Sequence, residues 1–326
     1  MSTRARIATV CQGRNFYPSV EENRAYVIGL LDLALCQKPD LVCLPEAFPT
    51  ASIPASPGVE LAETVPGPTT DAVAKRAREH RCYVICPIQT KREGVCWNSA
   101  IVIDRQGGIL GIYDKVQPVT SSSDYTLFED GVTPGSELPV FDLDFGRVGV
   151  QICFDAGFPE GWAELAHKGA RAVFWPSAYN GGFPLQVYAY LHHYYVISAV
   201  RADKSRIIDP CGVVLVETDG LANAIYRDIN LDFCVSHYDF NYSIPDRIME
   251  TYPGRVEVRS HLDDAHFVVE PIDDRVTVAQ LQQEFGFEST FQYHQRHREA
   301  YHRLRQGKAP HPQTAAHGDR PMYEKW

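Results

Sequence analysis

Nowhere in the 326 residues is there an uninterrupted apolar run of the roughly 18 residues that a membrane-spanning helix needs. The opening Met1-Ser-Thr-Arg-Ala-Arg leads straight into a short strand pattern and has no signal-peptide apolar core. Excess positive charge is lacking as well: 31 basic against 41 acidic residues give a formal net charge of −10. Binding a phosphate backbone needs clustered positive charge, so neither nucleic acid nor a membrane is expected as a partner. A cysteine framework is also missing. The nine cysteines are odd in number and come without a secretion signal, which predicts reduced thiols and a cytoplasmic setting. Cys82 and Cys86 form a C-x₃-C pair, but no second pair or histidine cluster completes a zinc set, so no metal is expected. With 44% hydrophobic and 22% charged residues, the chain has enough apolar material to exclude disorder as its main state.

What is present is an alternation of strand and helix patterns. Arg6-Ile-Ala-Thr-Val-Cys, Asp40-Leu-Val-Cys-Leu, Tyr83-Val-Ile-Cys-Pro-Ile and Ala172-Val-Phe-Trp are short, continuously apolar runs. Between them, residues 19 to 36, 69 to 80 and 184 to 193 carry helical spacing. Hairpins are expected over residues 95 to 114, turning at Arg105-Gln-Gly-Gly, and from Phe141 to Ile152, turning at Asp144-Phe-Gly-Arg. Arg206 to Val216 and Asn223 to Cys234 each read as one strand. Strands apolar on both faces need helices on both sides, which predicts a layered α/β fold with mixed sheets. Asp40-Leu-Val-Cys-Leu-Pro-Glu-Ala-Phe echoes Arg171-Ala-Val-Phe-Trp-Pro-Ser-Ala-Tyr, as two related halves would. Composition shifts near residue 271. Residues 271–326 read as an appended helix, striped by Phe291, His294, Tyr301 and Leu304, and an extended tail; His294, His297 and His302 read as a solvated basic face.

Three residues stand at strand ends, where open α/β sheets bind ligands. Glu46 follows a buried strand behind Pro45, where partial desolvation suits a general base. Lys115 closes Ile109-Leu-Gly-Ile-Tyr-Asp and could stabilise developing negative charge. Cys153 ends Val148-Gly-Val-Gln-Ile; a thiol becomes a nucleophile there only if a neighbour takes its proton or lowers its pKa. Taken singly, each is more often an exposed loop charge or a packing cysteine.

Their order and surroundings resemble the nitrilase superfamily of carbon–nitrogen hydrolases, whose triad is Glu, Lys and Cys. The matching segments are Pro39-Asp-Leu-Val-Cys-Leu-Pro-Glu46, Gly111-Ile-Tyr-Asp-Lys115-Val and Gly146-Arg-Val-Gly-Val-Gln-Ile-Cys153-Phe-Asp. Pro66-Gly-Pro, Trp97-Asn-Ser-Ala, Phe158-Pro-Glu and Trp175-Pro-Ser-Ala support them, and the match covers about residues 5 to 235. The resemblance implies a four-layer α-β-β-α sandwich with pseudo-twofold halves, a hydrolase domain over residues 1–270, and a homodimer or larger homo-oligomer to which residues 271–326 add a contact. It implies Glu46, Lys115 and Cys153 as catalytic, Glu129 as the second family glutamate, the backbone N–H of Phe154 at the oxyanion, and no cofactor. Tyr179 and Asn180, just past the strand that echoes the Glu46 strand, are expected at the substrate. Cys153-Phe154-Asp155 resembles the amidase and carbamoylase branch, where nitrilases have Cys-Trp-Glu. A linear amide or N-carbamoyl substrate is therefore expected; nitrile hydrolysis and a non-catalytic scaffold remain the alternatives. Gln117 replaces the usual His after the Lys, and the segments Val187 to Tyr195 and Ala199 to Arg206 depart from the family where the pocket wall should lie.

Overall fold

A computed structural model describes residues 3–53 and 57–311. The strands are β1 (Arg4–Val10), β2 (Leu41–Cys43), β3 (Tyr83–Arg92), β4 (Val95–Ile103), β5 (Ile109–Asp114), β6 (Val140–Leu143), β7 (Gly146–Val150), β8 (Ala172–Ser177), β9 (Tyr195–Val200), β10 (Arg206–Ile208), β11 (Val214–Glu217), β12 (Ala224–Asn230), β13 (Cys234–His237), β14 (Val256–His261) and β15 (His266–Pro271). The helices are α1 (Val20–Leu35), α2 (Pro68–His80), α3 (Pro159–His167), α4 (Phe183–His192), α5 (Ile244–Thr251), α6 (Val278–Phe285) and α7 (Thr290–Arg305).

The chain divides into two units, which part between Leu231 and Asp232. In the first, two six-stranded mixed sheets run β12-β1-β2-β3-β4-β5 and β6-β7-β8-β9-β10-β11. The second order repeats the first strand for strand, and the pairings repeat too: antiparallel, parallel, parallel, antiparallel, antiparallel. This is the pseudo-twofold relation behind the sequence echo, with β2 and β8 as counterparts.

Side-chain alternation explains the layering. Val42 and Leu44 join Val27, Leu31, Val73 and Ala77 of α1 and α2 in one core; Val173 and Trp175 join Trp162, Leu165, Leu185 and Ala189 of α3 and α4 in another. The intervening Leu41, Cys43, Ala172 and Phe174 are also fully or almost fully buried, so the strands are apolar on both faces. The sheets meet face to face, where Thr9 Oγ1 donates to Ser198 O (2.7 Å) and Ser205 Oγ donates to Val10 O (2.9 Å). Helix starts follow local rules: Ser19 caps α1 by accepting from the Glu22 N–H, and Pro68 opens α2.

Three expectations need correction. Asn223 to Cys234 is not one strand: β12 ends at Asn230, and Cys234 begins β13 of another sheet. Arg206 to Val216 is a hairpin, not one strand, because Asp209 Oδ1 accepts from the N–H groups of Cys211 and Val213 and folds the chain back at Gly212. The division into units lies upstream of the compositional break at residue 271. β13, β15 and β14 form their own antiparallel sheet, and α5 and α6 cover it, burying Ile248, Phe267, Val269, Leu281 and Phe285. Residues 271–311 therefore hold two helices, of which α6 belongs to a core; the extended tail from residue 312 lies outside the described residues.

Candidate active site

Glu46, Lys115 and Cys153 come from loops that follow β2, β5 and β7, and all three line one cavity of about 320 Å³. Lys115 is 1% exposed and Glu46 3%. Burial is tolerable because the charges are paired: Lys115 Nζ lies 2.9 Å from Glu46 Oε1 and 2.6 Å from Glu129 Oε1. Asn98, on β4, donates from Nδ2 to both carboxylates, 2.9 Å to Glu46 Oε1 and 2.9 Å to Glu129 Oε2. The structure thus brings Glu129 into contact with the predicted lysine, held further by the Val119 N–H.

The electrostatics separate the roles. Burial would raise the Glu46 carboxyl, but Lys115 and Arg201 outweigh it and hold the group below the usual range. Burial would lower Lys115, yet Glu46, Cys153 and Glu129 hold it well above its ordinary value. The Cys153 thiol is pushed up to about 12, by burial first and by Glu46 next, against smaller opposing effects of Lys115, the Ser177 hydroxyl and the Ala178 N–H. The resting sulfur is a thiol beside a carboxylate, an arrangement in which the base takes the proton as sulfur attacks.

Cys153 opens the short 3₁₀ turn Cys153–Gly157 with φ at +47°, a left-handed conformation that a non-glycine residue holds only under local constraint. The constraint is Asp155. Its buried carboxylate accepts from the Ile152 N–H (2.7 Å), the Tyr113 hydroxyl (2.7 Å) and the Gln117 N–H (2.9 Å). One side chain so ties the turn bearing Cys153 to the loop bearing Lys115. Burial pushes the Asp155 carboxyl up to about 6 despite these bonds. Phe154 is the second residue of the turn, where backbone N–H groups point ahead of a helical start; its ring is exposed and edge-on to Phe158.

The cavity wall includes Ala178 but neither Tyr179 nor Asn180. Tyr179 stands edge-on to Trp175, and Asn180 Nδ2 points to Asp203 Oδ1 (3.3 Å). Three groups had no role in the sequence reading. Asn98 lay in the Trp97-Asn-Ser-Ala match, Asp155 followed the cysteine, and Arg201 had no motif. Arg201 also lines the cavity, with Nη2 3.7 Å from Glu46 Oε2. Cys82 and Cys86 are buried, and all nine cysteines are free thiols.

The carbon–nitrogen hydrolase family model matches residues 7–237, and the chain belongs to that family. Among curated relatives, β-ureidopropionase of Arabidopsis thaliana is 32% identical over 127 residues (37% of this chain, 30% of the relative). A nitrilase of Pyrococcus abyssi is 34% identical over 160 residues (48% and 59%), and bovine omega-amidase NIT2 is 28% identical over 231 residues (64% and 83%). The chain thus spans less than two thirds of the length of the first two. Among solved structures, Saccharomyces cerevisiae Nit3, of the nitrilase superfamily, superposes with a TM-score of 0.60 at 22% identity, covering 70% of this chain and 90% of that one; it shows the same fold. No helix among the described residues is long and apolar enough to cross a membrane.

Proposed function

We propose that this protein hydrolyses the C–N bond of a linear amide or N-carbamoyl compound in the cytoplasm, through a thioester on Cys153 and without a cofactor. The observation that carries the reading is the meeting of Cys153, Glu46 and Lys115, from three separate strand ends, around one cavity. Cys153 Sγ attacks the carbonyl carbon as Glu46 takes the thiol proton. Lys115 and the Phe154 N–H stabilise the tetrahedral oxyanion. The C–N bond breaks and Glu46 returns the proton to the leaving amine. Water then attacks the thioester, giving its proton to Glu46; the C–S bond breaks, the acid leaves and the thiol is restored. Glu129 and Asn98 keep Lys115 and Glu46 in place throughout.

Paired kinetics on an amide, its N-carbamoyl relative and its nitrile test the reading, together with mass measurement of a trapped Cys153 adduct. The amide or N-carbamoyl compound is expected to have the highest kcat/KM. A nitrile in first place, which the Pyrococcus abyssi relative makes the second reading, would overturn the branch assignment. Cys153→Ala is expected to remove turnover by at least about a thousandfold with the fold intact. Residual activity above that level would count against Cys153 as the nucleophile.

A further inference from the structure

We propose that Gln89 determines substrate choice in the candidate active site by binding a neutral carboxamide at the far end of the acyl chain, so that the preferred substrate is an amide carrying a second, uncharged carboxamide. The inference rests on the hydrolase reading and names its substrate class.

Sheet register sets Gln89 beside the chemistry. It stands opposite Asn98 in the antiparallel β3–β4 pair, and Asn98 O accepts from the Lys115 N–H (2.8 Å) where the next ladder runs on past β5. Directly opposed residues share one face of a sheet, and Gln89, Asn98 and Lys115 all line the cavity that holds Cys153. Asn98 and Lys115 are committed to Glu46 and Glu129. Gln89 is half-buried, and its Nε2 has no hydrogen-bond partner among the described residues.

The amide group sits in a seat made by two other residues of the same wall. Thr50 Oγ1 lies 2.8 Å from Gln89 Oε1 and 3.2 Å from Ala47 O, so its one proton goes to the nearer glutamine oxygen. That bond fixes which way the amide faces and leaves both Nε2 hydrogens for a ligand. Gly58 gives the amide room: a Cβ there would stand 2.1 Å from Gln89 Oε1 and 2.6 Å from Nε2. A fixed N–H donor selects a ligand that supplies an acceptor. The charge around it selects an uncharged one, because Glu46, Glu129 and Asp130 outnumber Lys115 and Arg201 in the wall and oppose a further carboxylate. An ammonium group would meet Gln89 donor to donor. A carboxamide fits both conditions, with C=O for Gln89 and N–H for the Asp130 carboxylate, which has no partner among the described residues.

The test uses the full chain and the diamides malonamide, succinamide and glutaramide, which set the second carboxamide at three reaches. Each is paired with its apolar isostere (3-methylbutanamide, 4-methylpentanamide, 5-methylhexanamide) and its monocarboxylate. Wild type is expected to give one diamide the highest kcat/KM of the set. In Gln89→Met, which keeps the volume and loses the donor, the ratio of that diamide to its apolar isostere is expected to fall about tenfold, as for one hydrogen bond lost with its partner left unpaired. Gly58→Ala displaces only the flexible end of Gln89 and should lower the same ratio with residue 89 intact. Gln89→Glu keeps the Thr50 bond but sets an acceptor against the substrate carbonyl, and should lower it at least as far. The ratio cancels any general loss of activity. An unchanged ratio in Gln89→Met, or a carboxylate or apolar amide in first place for wild type, would overturn the subsite. Should wild type turn over no amide, ligand-observed NMR decides: diamide binding that Gln89→Met removes would uphold the subsite and overturn the hydrolase reading, and no binding would overturn both.

Discussion

The pKa directions at the site assign its pH dependence to individual side chains. Glu46 is held below the usual carboxylate range by Lys115 and Arg201, so it stays ionised well into acid and sets no limb near neutrality. Asp155, at about 6, is the group that protonates first. Once protonated, it cannot accept from all three donors that join the Cys153 turn to the Lys115 loop. Activity should therefore be present above about pH 6 and fall as pH drops through that value. In Asp155→Asn this acid limb should vanish from the kcat/KM profile, at a lower plateau; a limb that persists would assign the titration elsewhere. The alkaline side is governed by Cys153. A free thiol ionises near 9, but here the value is about 12. Alkylation of Cys153 by iodoacetamide, followed by peptide mass analysis, should be slow at pH 7 and still rising at pH 10, because the thiolate fraction grows about tenfold per pH unit below the pKa; a rate that levels off before pH 10 would place the thiol lower.

At the scale of elements, the chemistry depends on loops pinned to strand ends. Gly135 shows how tightly. Its N–H donates to Lys115 O (2.8 Å), and a Cβ at this position would stand 2.3 Å from the Asp114 carbonyl oxygen. Backbone cannot rotate away as a side chain can, so Gly135→Ala must displace the end of β5 that carries Lys115. It should cost about 1–3 kcal/mol in denaturant unfolding, as overpacking does, and lower kcat more than that stability loss explains. The elements legible in sequence were those with patterns set by burial alone. β2, β3 and β8 are continuously apolar over their buried stretches, and the end of β2 gave Glu46. β14 reads Val-Glu-Val-Arg-Ser-His and β15 begins with His266; β14 pairs with β15 and β15 with β13, and nothing local announces that partnership. Asn98 stayed silent because its role comes from β4 register, which sets it opposite Gln89 and within reach of both glutamates. Arg201 stayed silent because its loop departs from the family pattern.

For the whole molecule, the second unit changes how its tail can be tested. Removing everything from residue 275 would strip Leu281, Phe285 and Phe287 from a core and unfold the unit. A cut before α7 is cleaner: in α7 only Thr290 is buried, while Phe291, Tyr301 and Leu304 are about half exposed. An amphipathic helix with such a face needs a surface to cover, and we propose that a second copy of the chain provides it by isologous pairing. Deleting residues 290–326 should therefore lower the mass seen by light scattering; an unchanged mass would remove α7 from any assembly contact.

The paired sheets have a further consequence, for drift among related chains. Ile7, Leu41 and Tyr83 share one register row, Val148, Ala172 and Tyr195 the counterpart row. Five residues on from these rows, Cys153 is matched by Gln12 and Glu46 by Ser177; Thr218 follows β11 as Lys115 follows β5. The mirror position is closed with short side chains: Ser205 Oγ donates to Val10 O, and Thr218 Oγ1 accepts from the Ser205 N–H. Gln12, Ser205 and Thr218 are thus free to exchange for residues of like volume and bonding, whereas the open half tolerates no such trade. Ser177 is the exception, because its hydroxyl also reaches Cys153: at that one position the sealed half of the duplication constrains the working one.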